Sequence, residues 1–156
     1  MNTMTKRATL VTAGTFLAGL AVGLGALGAH AAPVRKYINV PERPIVAPFS
    51  DAVLVGDTLY LAGRLGFDQS GKLPADPTSE AKLVLNGVKS VLAAAQMTRD
   101  DLVSVQVFCT DLSLFDTWNG VYRDYFGHDL PARAFIGAGS LLRGARFEMQ
   151  AIAVRR

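Results

Sequence analysis

Cysteine is nearly absent. Cys109 stands alone among 156 residues, so no intramolecular disulfide can form. Histidine is as scarce, with only His30 and His128. One thiol, two imidazoles and no acids clustered at ligand spacing leave no side-chain set for a metal centre. A Ser-His-Asp nucleophile would have to use His128, in the polar turn Gly127-His128-Asp129, which argues against that chemistry. Repeats and low-complexity tracts are missing. So are the glycine spacings of nucleotide loops, because GRLG (63–66) and GAG (137–139) are single clusters. Nothing in this composition calls for a cofactor.

What is present begins with a leader. Lys6 and Arg7 precede a stretch without charge from Ala8 to Gly28, and Ala29-His30-Ala31 closes it. A basic start, an apolar middle and an A-x-A site describe a secretory signal peptide over residues 1–31, cut after Ala31. An uncleaved membrane anchor is the competing reading of the same run. TKRATL gives only a faint echo of a twin-arginine signal, since Lys6 stands where the first arginine would. The expected mature chain, residues 32–156, is periplasmic or secreted, with no stable membrane association after cleavage. It keeps fourteen basic residues against thirteen acidic ones, because the leader holds two of the sixteen basic residues and no acidic one. That balance gives no electrostatic reason for nucleic acid or an anionic membrane as a partner.

The mature stretch suits one domain with one core. Residues 32–50 hold four prolines and read as an extended lead-in. AVLVG (52–56) and TLYLAGRLGF (58–67) are strand-like runs joined at Gly56-Asp57, a hairpin signal. After a Gly- and Pro-rich loop, Asp76-Pro77 predicts a helix start with Glu80 in its first turn. Ala81, Val84, Leu85, Val88, Val91, Leu92 and Ala95 then repeat at helical spacing. Residues 101–112 read as a strand. Ser113 and Asp116 resemble a capping box for a second helix with the stripe Leu114, Phe115, Trp118, Val121, Tyr122 and Tyr125, stopped by Gly127. That stripe reads as core. Residues 132–139 and 146–154 close the chain as strands.

The order β-β-α-β-α-β-β predicts an α+β fold with two helices on one face of a mixed sheet. No further segment remains for the other face, so that face is expected to pack in a homo-oligomer.

One stretch holds a chemical puzzle. LPARAFIGAG (130–139) surrounds Arg133 with small apolar residues. Period two puts Arg133, Phe135 and Gly137 on one face and Ala132, Ala134, Ile136 and Ala138 on the other. The small residues suit packing on helices, which would turn Arg133 toward a cleft. A guanidinium offers a rigid fork for a carboxylate and stays charged at any relevant pH. It could equally form a structural ion pair, with Glu148 or with an acid across an interface. Glu148 shares a face with Arg146 and Gln150, where its carboxylate could orient or deprotonate water, or merely pair with an arginine. Arg64 is open in the same way, as a second carboxylate contact or a partner of Glu148. Cys109 lies in an apolar strand and reads as an inert core thiol.

APFSDAV, TLYLAGRLG, the helix of residues 78–96, FDTWNGVYRDYFG, PARAFIGAG and FEMQAIAVRR occur in the order of the Rid (YjgF-type) family, which the chain resembles from about Ala47 to Arg156. The resemblance implies a chorismate-mutase-like fold, a barrel-like homotrimer and three clefts between subunits. It also implies cofactor-independent hydrolysis of small 2-imino acids, or their enamine tautomers, to 2-oxo acids and ammonia. On that resemblance Arg133 grips the substrate carboxylate, Glu148 positions the hydrolytic water, and Asn119 completes the catalytic set. Four substrate-binding positions depart from the best-known deaminases: Phe49 replaces a tyrosine, Ala62 a serine, Arg64 a glutamine and Phe135 a cysteine. The departures mark a divergent member. They leave a second reading open, a non-catalytic module of the same fold that binds a small carboxylate or serves as an interaction platform.

Overall fold

The computed structural model describes residues 32, 34–41 and 47–156. The expected leader lies outside the described residues. Ala32–Arg156 gather into one unit.

The helices form where the spacing places them. Helix α1 (Pro77–Ala94) starts on Asp76, whose carboxylate accepts from the backbone N–H of Thr78 and Ser79, and Pro77 needs no acceptor at the first helical position. Those hydrogen bonds, chiefly from Ser79, hold the Asp76 carboxyl below the usual aspartate range. The whole stripe from Ala81 to Ala95 is buried. Helix α2 (Phe115–Phe126) buries Trp118, Asn119, Val121, Tyr122 and Phe126, and ends at Gly127 with φ of 76°. The expected Ser113/Asp116 capping box is absent, because the first residues form a 3-10 turn. Asp111 caps that turn, accepting from Ser113 N at 2.9 Å.

Six strands make one sheet in the order β1-β2-β3-β6-β4-β5. They are β1 (Arg35–Ile38), β2 (Ala52–Val55), β3 (Thr58–Leu65), β4 (Leu102–Cys109), β5 (Ala132–Gly137) and β6 (Phe147–Val154). Only β4 and β5 run parallel, joined through α2. The expected lead-in contains β1, which pairs antiparallel with β2 from Arg35↔Val55 to Ile38↔Ala52. Its charges at 35 and 36 hide the strand pattern and suit an edge position.

Leu59, Leu61, Val105, Val107, Cys109, Phe147, Met149, Ala151 and Ala153 form the face buried beneath the helices. The opposite face is open. Tyr60, half exposed, pairs across to Ile152, and Gln106 and Gln150 stand beside them. Register corrects one expectation about β5. Val105↔Arg133 and Val107↔Phe135 put Arg133 and Phe135 on the helix side, while Ala132, Ala134 and Ile136 are exposed on the open side. The small residues do not pack on helices.

Candidate active site

Arg133 is held by groups that carry no charge. Its Nη2 donates to Asn119 Oδ1 at 2.7 Å. Its Cζ lies 4.6 Å from the Tyr122 ring centre, and 5.8 Å from both the Phe115 and Phe135 rings. Asn119 and Tyr122 are three residues apart on α2 and therefore reach the same spot. Burial pushes the Tyr122 hydroxyl up to about 12, against a smaller opposite pull from Arg133, so the ring meets the cation as a neutral π face. Among the described residues no carboxylate pairs with Arg133. A half-buried guanidinium with neutral supports can receive an anion. Asn119 is 6% exposed and its amide oxygen is already engaged. It thereby orients the guanidinium.

Glu148 belongs to the other side of the sheet. Its register, Phe108↔Glu148 and Leu65↔Glu148, sets it on the open face. Between Leu61 and Arg64 strand β3 carries an extra residue against β6, and this bulge brings Gly63 beneath the carboxylate. A Cβ on Gly63 would lie 1.8 Å from Glu148 Oε1, so a larger residue there would displace the carboxylate from this position. Arg133 and Glu148 thus occupy opposite faces of one protomer. The structural Arg133–Glu148 ion pair weighed from sequence does not form within the chain.

Arg64 has a partner that the sequence reading did not name. Its Nη1 donates to Asp51 Oδ1 at 2.7 Å, and its side chain lies against Gly87 of α1. Asp51 is fully buried and accepts from Val40 N at 2.9 Å, while its own carbonyl accepts from Ala62 N at 2.9 Å. This knot ties β1 to the bulge that carries Ala62 and Gly63. Phe49, largely exposed, sits two residues before Asp51. Arg133, Asn119 and Phe135 therefore form one group, Ala62 and Glu148 a second, and Arg64 braces the second from behind.

Sequence reasoning missed Tyr122 and Phe115 as supports of Arg133. The spacing of Phe115, Asn119 and Tyr122 along one side of a helix was the available signal. Cys109 is buried, its thiol is pushed up by burial, and its Sγ donates to Asp111 O at 3.0 Å, consistent with an inert thiol. His128 is exposed beside Asp129. No group of three or more potential metal ligands occurs among the described residues.

The sequence profile of the family described as Endoribonuclease L-PSP matches residues 39–155. The 2-iminobutanoate/2-iminopropanoate deaminase of Bos taurus is 40% identical over 125 residues, covering 78% of this chain and 91% of that protein. The protein of the same name from Mus musculus is 38% identical over 125 residues, covering 78% and 93%. Among solved structures, Escherichia coli TdcF with bound serine superposes with a TM-score of 0.73 at 31% identity, covering 78% of this chain and 99% of that one.

Proposed function

This chain belongs to the Rid (endoribonuclease L-PSP) family, and on that premise we propose that it hydrolyses 2-imino acids, or their enamine tautomers, to 2-oxo acids and ammonia. The carrying observation is Arg133, a guanidinium supported by Asn119 and three aromatic rings with no described carboxylate beside it. The deaminase names of relatives at 38–40% identity support the same chemistry.

Arg133 binds the substrate carboxylate and fixes the adjacent C=N. Water adds to the imine carbon and gives up a proton to Glu148, which passes it to the imine nitrogen, leaving a neutral carbinolamine. Glu148 then takes the carbinolamine hydroxyl proton and returns it to the nitrogen as the C–N bond breaks, so the 2-oxo acid forms and ammonia leaves. The gain over spontaneous hydrolysis comes from orientation and from a placed general base.

Because Arg133 and Glu148 face opposite ways, this site takes Arg133 from one subunit and Glu148 from its neighbour. The open face, with Tyr60, Ile152, Ala134 and Ile136, offers the surface for a homotrimer that would bring them together. The leader of residues 1–31 would direct this assembly to the periplasm or outside the cell. Amino-acid oxidase supplies imino acids in situ, and 2-oxo acid formation is then followed with and without the mature protein. Acceleration over the spontaneous rate, from a particle of three chains by light scattering, is expected. Binding without acceleration would leave a carboxylate-binding module instead, and a monomer would remove the shared site.

A further inference from the structure

The geometry points to 2-imino acids with large apolar or aromatic side chains as the substrate class, an inference that rests on the Arg133 site proposed above. Arg133, half buried, stands beside an apolar collar. Phe135 is two residues along the same face of β5, and Phe115 begins α2. Their rings meet edge to face at 5.0 Å, an arrangement favoured by the ring quadrupoles. Leu112 extends the collar, its Cδ1 lying 3.3 Å from where a Cβ on Gly137 would be.

The collar is a wall rather than a plug. Phe135 is drawn back against the core, with its ring 6.4 Å from that of Trp118. Phe115 remains 41% exposed and Leu112 57% exposed, so apolar surface stands open where a ligand's side chain would lie. A carboxylate held bidentately has its carbon roughly 4 Å from Cζ, so the substrate's first side-chain carbons come within reach of rings centred 5.8 Å from the same atom. A methyl group touches little of this surface, whereas a benzyl or isobutyl group can cover it. Phe115, Phe135 and Leu112 carry no side-chain hydrogen-bonding groups, so a hydroxylated or charged side chain would lose water without compensation. Arg133 thus recognises the acid common to all 2-imino acids, and the collar selects among them.

Imines derived from phenylalanine, leucine and alanine decide the matter. For the native protein kcat/KM is expected to be at least about tenfold higher for the phenylalanine-derived imine than for the alanine-derived one. Phe135→Ala and the more exposed Phe115→Ala should each reduce that ratio severalfold. A native ratio at or below one overturns the inference, as does a ratio that neither substitution moves. Calorimetric binding of phenylpyruvate against pyruvate separates this inference from the reading beneath it. Tighter phenylpyruvate binding in a protein without turnover would preserve the collar and discard the hydrolase, while equal binding would discard the collar.

Discussion

Arg133→Ala is expected to lower kcat/KM for imino-acid hydrolysis by about two to three orders of magnitude. In the proposed complex the substitution removes two charge-assisted hydrogen bonds to the substrate carboxylate, each worth about 1.5–3 kcal/mol. The carboxylate is bound before and during the reaction, so most of the loss should fall on KM, with a smaller fall in kcat from poorer orientation. Arg133→Lys should recover part of it, since the charge returns without the planar fork. The fold should survive, because Arg133 is only half buried, although Asn119 Oδ1 loses its donor and stability drops by about 1–2 kcal/mol. Steady-state kinetics on the two variants checks the split. Native activity in Arg133→Ala would remove this residue from the mechanism.

Glu80→Ala should cost about 3–5 kcal/mol of stability, because it deletes the buried carboxylate of a part-buried ion pair and leaves two backbone N–H groups without their acceptor. Glu80 is fully buried in the first turn of α1. Its Oε1 accepts from Arg146 N at 2.7 Å and Phe147 N at 3.1 Å, and its Oε2 from Arg146 Nε at 2.5 Å. Arg146 in turn donates to the carbonyls of Ala75, at 2.8 Å, and Pro74. One carboxylate thereby joins the start of α1, the loop before it and the start of β6, the strand that carries Glu148. Glu80→Gln keeps an acceptor for the backbone N–H groups and loses the ion pair, so its cost should be intermediate. Chemical denaturation of the three proteins provides the comparison, and a shift below about 1 kcal/mol for Glu80→Ala would contradict this account.

The helices were legible because their signals are local. Asp76-Pro77, the stripe from Ala81 to Ala95 and Gly127 each lie within a turn or two of what they determine. What depends on distant pairing was not. Strand β1 is four residues long, and its identity rests on residues 52–55 opposite it. The face of β5 is set by Val105 and Val107 on a neighbouring strand, and small residues suit an open sheet face as readily as a helix contact. The Arg64–Asp51 bond was not anticipated, because it depends on the bulge at residues 62–63, which sets Arg64 on the helix side. Within the site, Arg133, Glu148 and Asn119 were picked out through the family resemblance. Periodicity alone left Arg133 undecided between a ligand and an ion pair.

The division of Arg133 and Glu148 between two faces of one sheet has a genetic consequence. Under the subunit-shared reading, an Arg133→Ala chain retains a sound Glu148, and a Glu148→Gln chain retains a sound Arg133. Each homotrimer is dead by itself. Unfolded together and refolded, the two chains form mixed rings in which one of three junctions regains both groups. With equal, random mixing, activity should return to about a quarter of the native level. Two null alleles of this gene would then complement each other, which no pair of lesions confined to a single-chain active site could do.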